Sequence, residues 1–85
     1  MKPNSTAEAV HTLLRERSAL ARDRPDLPAD LPLGPGGLGL DSIALVELLL
    51  ECEQRFGIPR PVDLLAGPPL TVGLLVSHIR DAAGA

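Results

Sequence analysis

Apolar residues recur at intervals of three and four in three stretches of this chain and are scattered without period in a fourth. Val10, Leu13, Leu14, Arg17 and Ala21 trace one helical stripe, which ends near Arg22, before Pro25. Ser5-Thr6-Ala7-Glu8 has capping-box spacing, so this helix is expected to start at Ser5 or Thr6. A second helix is expected over roughly Asp41 to Phe56. Leu45, Leu49, Cys52 and Phe56 form its stripe, with Ile43 and Val46 beside it. Glu47 and Glu51, four apart, share the outward face with Ala44, and Gly57 is placed as the C-terminal stop. A short helical turn is expected at Val62 to Ala66, bounded by Pro61 and by Gly67-Pro68-Pro69. In the last helix Thr71 is the N-cap, Val72, Leu75, Val76 and Ile79 keep helical spacing, and the end frays at Gly84. No segment alternates as a strand does, so the chain reads as all-α, a bundle of three main helices and one minor one.

The aperiodic stretch runs from Asp23 to Leu40. Pro25, Pro28, Pro32 and Pro35 forbid a long helix there. Leu27, Leu31, Leu33, Leu38 and Leu40 are nevertheless spread along it, and a solvated linker has no use for so many leucines. The expectation is a long first loop pinned to the core, with leucines as its plugs.

Composition narrows the class. The 85 residues are enough for one small domain, 1–85. With one phenylalanine and no Trp or Tyr the core must be aliphatic, and its net stability is expected to be only a few kcal/mol. A formal charge of −3 argues against a nucleic-acid partner. No run approaches the roughly 20 apolar residues of a membrane span, and Met1-Lys2-Pro3-Asn4-Ser5-Thr6 lacks a signal peptide's apolar stretch. The chain therefore reads as cytoplasmic and off the membrane. A single cysteine excludes an internal disulfide, and Cys52, lying in an apolar stripe, reads as a small buried hydrophobe. Arg15, Arg17, Arg22 and Arg24, interleaved with Glu16 and Asp23, read as a solvated helix end in preference to a partner contact.

The chemistry converges on Asp41-Ser42-Ile43. It joins the loop Leu33-Gly34-Pro35-Gly36-Gly37-Leu38-Gly39-Leu40 to the second helix. Free N–H groups and the positive dipole end of a first helical turn favour a phosphate there. Either Asp41 or Ser42 can supply the cap. Gly34-Pro35-Gly36-Gly37-Leu38-Gly39 matches a dinucleotide-binding pattern formally, but no strand precedes it, and no lysine follows for a P-loop. A nucleophilic Ser42 would need a base, and His11 and His78 lie on separate terminal helices, so no catalytic residue and no metal site is assigned. Glu47, Glu51 and Glu53 read as solvated charge or as a docking face for a basic partner.

The run Leu38-Gly39-Leu40-Asp41-Ser42-Ile43-Ala44-Leu45-Val46-Glu47-Leu48, followed by Glu51, Glu53 and Phe56-Gly57-Ile58, resembles the signature of acyl carrier proteins. The likeness extends through Thr71-Val72 and covers about Leu33 to Ile79; the set is specific where Asp-Ser-Leu alone would be weak. It implies a four-helix bundle that carries acyl groups as thioesters on 4′-phosphopantetheine, attached to Ser42 from coenzyme A by a phosphopantetheinyl transferase. Asp41 matches the acidic residue that helps engage the transferase. Glu47 and Glu51 match acids that meet basic patches on partner enzymes, such as an acyl-loading enzyme, a ketosynthase or an acyltransferase.

The chain also departs from that pattern. Ala44 stands where many members carry an acid, and Leu45 and Leu50 are expected to add apolar partner contacts. These departures suggest a specialised carrier of polyketide or related secondary metabolism, and a monomer is expected; the start at Met1 and the end just after the last helix suggest a stand-alone protein, with an excised domain as the alternative. The alternatives are a peptidyl or aminoacyl carrier, less well matched by Gly39-Leu40-Asp41-Ser42, and a helical adaptor without prosthetic group.

Overall fold

Helix formation follows the apolar periodicity closely, with one break that the periodicity hides. The computed structural model describes residues 5–59 and 69–84, and among them are four helices: α1 (Ser5–Arg17), α2 (Ala19–Asp23), α3 (Ser42–Phe56) and α4 (Val72–Gly84). The turn expected at Val62 to Ala66 lies outside the described residues. The architecture is all-helical and bundle-like, and its single β feature among the described residues is an isolated bridge between Pro32 and Thr71.

The first helix does not run unbroken to Arg22. It stops at Ser18, whose backbone is extended (φ −136°, ψ 123°) and whose side chain is buried. The Ser18 hydroxyl accepts from the Ala21 N–H at 3.3 Å and donates to the Leu38 carbonyl at 3.3 Å. A serine that finds both partners off the helix ladder has a local alternative to helix, and here it caps a new one. The turn still leaves Ala21 fully buried, so the stripe survives the break. Arg22 reaches back to donate to the Arg15 carbonyl at 2.7 Å, meeting one of the last carbonyls of α1.

The long loop is pinned as its leucines require. Leu27, Leu31, Leu33, Leu38 and Leu40 are all buried, Leu33 completely. Its backbone is tied to the approach to α4. The Leu33 N–H donates to the Leu70 carbonyl at 2.9 Å, the Val72 N–H to Leu31 at 3.0 Å and the Gly73 N–H to Ala29 at 2.8 Å. Pro32, with no N–H, sits between the bonding residues of that short antiparallel pairing, where it costs nothing. The loop then folds back on itself, Leu38 N–H donating to Pro32 and Leu40 N–H to Leu33, each at 3.0 Å. Gly37 is required at this fold-back, because a Cβ there would collide with the Pro32 carbonyl.

Val10, Leu13 and Leu14 of α1, Leu48, Leu49 and Cys52 of α3, and Val72, Leu75, Val76 and Ile79 of α4 meet the loop leucines in one core. On α3 the buried face differs from the expected one. Leu48 is fully buried, whereas Ile43 and Val46 face outward at 72% and 43% exposure, and Ala44 is half-buried against the core. Positions 45, 48, 49, 52 and 56 give a more regular 3.6-residue stripe, which turns Ile43 and Val46 away. The two ends of α3 and α4 are closed as expected. Gly57 takes the left-handed conformation (φ 65°) at the end of α3, and the Thr71 hydroxyl accepts from the Leu74 N–H at 3.2 Å.

Truncating the loop plug should therefore cost as much as truncating a helix core residue. Leu33→Ala is expected to lower the unfolding free energy by about 2–5 kcal/mol. Leu20→Ala, at a position 52% exposed, is expected to change it by less than about 0.5 kcal/mol. Urea titration followed by circular dichroism checks both.

Candidate functional site

The start of α3 separates two roles that the sequence left open between two residues. Asp41 (φ −82°, ψ 179°) is the N-cap, its Oδ1 accepting from the Ala44 N–H at 2.8 Å and its carbonyl from the Leu45 N–H at 2.9 Å. Ser42 is thereby the first helical residue and is relieved of capping. It is exposed, and its hydroxyl makes no hydrogen bond to any described residue. The loop behind it is rigidly held, since Leu38 and Leu40 are both buried and bonded back to Pro32 and Leu33. An exposed primary hydroxyl is thus presented at a helix N-terminus, where the dipole and the open first-turn N–H groups favour an attached phosphate.

From Ser42 the outward face of α3 runs through Ile43, Val46, Glu47, Leu50 and Gln54. The two acids expected to face partners both have intramolecular cations. Arg17, at the end of α1, places Nη1 3.6 Å from Glu47 Oε1 and Nη2 3.1 Å from Glu51 Oε1. Arg55 extends the network, with Nη2 3.2 Å from Glu51 Oε2 and 3.3 Å from Glu16 Oε1. Glu47 remains well exposed, and Glu51 is half-buried. Leu45 is half-buried against the core, whereas Leu50 lines a shallow groove of about 300 Å³ with Arg17, Glu47, Glu51 and Gln54.

Sequence reading missed Arg17, which it placed in the α1 stripe and in a solvated basic patch. Only the Glu51–Arg55 pair, at i and i+4, carries a local signal. Arg17 and Glu51 are 34 residues apart, and no periodicity connects them.

His11 does not join this site. His11 is half-buried in a separate groove of about 240 Å³ whose lining includes Leu27, Val72, Ser77 and Arg80 and no residue of α3. Burial, with Arg15 adding to it and Glu8 opposing, holds its pKa below the usual histidine value. Cys52 is buried as expected. Desolvation first, then Glu51, pushes its thiol up to about 11, against the pull of Arg17 and Arg55.

These features define a small helical domain that presents an exposed hydroxyl at the head of a long helix. The family model for the phosphopantetheine attachment site matches residues 8–79, and the chain belongs to that family of phosphopantetheine-binding carrier proteins. No curated protein and no solved structure matches it significantly. The family's prosthetic group is a covalently attached 4′-phosphopantetheine, and an exposed hydroxyl beside a capped helix start fits a phosphodiester linkage. Such domains are in general non-catalytic and work with a phosphopantetheinyl transferase and with biosynthetic enzymes. Among the described residues no helix is long and apolar enough to cross a membrane.

The division between Asp41 and Ser42 is measurable as stability. Asp41→Ala is expected to cost about 1 kcal/mol through loss of the cap, and Ser42→Ala close to nothing, read from thermal or urea unfolding. The Cys52 thiol, raised to about 11 and buried, is expected to be nearly inert to a disulfide reagent at pH 8 in the native protein and to react fully in denaturant.

Proposed function

We propose that the chain is an acyl carrier protein with Ser42 as the attachment residue. The observation that carries this reading is the exposed Ser42 hydroxyl at the first position of α3, freed by the Asp41 cap. In the loading reaction the Ser42 oxygen replaces the nucleotide half of coenzyme A at the pantetheine-bearing phosphorus. One phosphorus–oxygen bond of the donor's pyrophosphate breaks, one to Ser42 forms, and the hydroxyl proton leaves to the transferase or solvent. When attached, the arm supplies a terminal thiol on which acyl groups are held as thioesters. The protein's own task is mechanical: it holds the attachment point at a helix start and presents α3 to each partner enzyme in turn.

Asp41 stands where the transferase must approach, and Ile43, Val46, Glu47 and Leu50 form the surface adjoining it. An acyl-loading enzyme and ketosynthase- or acyltransferase-type partners of a polyketide or related secondary-metabolite pathway fit this reading. The sparse acids of the outward face, Glu47 chief among them, set the chain apart from strongly electrostatic carriers. Gly39-Leu40-Asp41-Ser42 favours acyl over aminoacyl cargo.

Intact-protein mass after incubation with coenzyme A, magnesium and a broad-specificity transferase tests the assignment. Wild type is expected to gain one phosphopantetheine and Ser42→Ala none. A folded wild type that gains nothing, beside a control carrier that does, would leave an adaptor role without prosthetic group. A gain retained by Ser42→Ala would move the attachment to another residue. On loading by candidate enzymes, an acyl adduct in preference to an aminoacyl one is expected.

A further inference from the structure

Arg17 lies outside α3 yet holds two acids of that helix, Glu47 and Glu51. Its two terminal nitrogens contact Glu47 and Glu51 separately, at 3.6 and 3.1 Å, so one guanidinium spans the pair. Arg17 is itself partly exposed, at 32% of its side chain, and shares the shallow groove with Glu47, Leu50, Glu51 and Gln54. A partner that descends on this face therefore meets a cation among the acids.

The chemistry at Ser42 dictates the charge of one such partner. An enzyme that delivers phosphopantetheine must hold the polyanionic coenzyme A over the Ser42 hydroxyl, so the surface it brings is cationic. Glu47 follows Ser42 by five residues, about 7.5 Å along the helix axis, well inside the footprint of any protein partner. Attraction between that cationic surface and Glu47 speeds encounter, and Arg17 opposes it twice, by neutralising the acid and by repelling the incoming cation. Exposed ion pairs of this kind contribute little to stability and can be displaced.

We propose that Arg17 is a specificity-determining residue, an intramolecular competitor that occupies Glu47 and Glu51 and so lowers the rate at which a cationic transferase engages Ser42. The proposal rests on Ser42 being the attachment residue. It makes the outward face of α3 mainly an apolar one, led by Ile43 at 72% and Val46 at 43% exposure, and suits it to partners that dock without a strong basic patch.

The test is the steady-state kinetics of phosphopantetheine transfer from coenzyme A to wild type, Arg17→Gln, Arg17→Lys and the double variant Glu47→Gln/Glu51→Gln. It is run at about 0.01 M ionic strength, where the screening length is about 30 Å, and at about 1 M, where it is about 3 Å. At low salt Arg17→Gln is expected to raise kcat/KM several-fold through KM, with kcat unchanged. The gain should vanish at high salt, and Arg17→Lys should behave as wild type. The double variant is expected to be slower than Arg17→Gln and to lose most of its salt dependence. An Arg17→Gln protein with a wild-type melting curve and an unchanged or lower kcat/KM at low salt would overturn the proposal, as would a gain that persists at high salt. If Arg17→Gln melts below the assay temperature, Arg17→Met, which keeps the aliphatic stem, is held to the same criteria. Failure of wild type to be modified at all would instead remove the Ser42 assignment, so the two failures are distinguishable.

Discussion

A short backbone pairing between residues 29–33 and 70–73 is the constraint on which the rest of the structure depends. Three hydrogen bonds, from Leu33 to Leu70, Val72 to Leu31 and Gly73 to Ala29, fix where the long loop crosses the start of α4. Without them the loop leucines would have no defined register against the helices. With them, Leu31 and Leu33 enter the core from one side, and the chain has a fixed point from which to fold back toward Ser42. A small aliphatic core has little stability to spare, so a loop that contributes buried leucines is part of the core and not a tether between helices.

The fold-back transmits that fixed point to the site. Pro32 and Leu33 accept from Leu38 and Leu40, and Ser18 donates to the Leu38 carbonyl. The residues just ahead of Asp41 are thereby held by the α1–α2 corner and by the α4 approach together. Asp41 completes the chain of support by capping α3 with its own carboxylate. Ser42 contributes to none of these contacts. Its neighbours carry the whole of the local structural network, which leaves the Ser42 side chain exposed and outside it.

Much of this was legible in the sequence, for identifiable reasons. Long helices announce themselves through periodicity, so α3 and α4 and their glycine and threonine ends were readable within a residue or so. The burial of the loop leucines followed from their sheer number in a segment unable to form helix. The break at Ser18 was not readable, because a serine in mid-stripe looks like any helical serine until Leu38, 20 residues on, offers its carbonyl. The rotation of α3 was missed because Ile43 and Val46 are as apolar as Leu48, and only packing decides among them. At the site, Ser42 stood out through local chemistry and through resemblance, whereas the Arg17 contacts depend on two helices meeting. Local signals report what a residue can do; long-range ones report what it is already doing.

The buried position of Cys52 has a consequence for the fidelity of a carrier. Cysteine thiolate is the side chain in this sequence best able to take an acyl group from a thioester by exchange, and Cys52 is the chain's only cysteine. It lies on the inward face of the same helix that begins at Ser42, ten residues and nearly three turns away. Burial denies it access, and a thiol raised to about 11 is almost wholly protonated at neutral pH. On the proposed reading, the fold would withhold its own thiol from a thioester carried at Ser42.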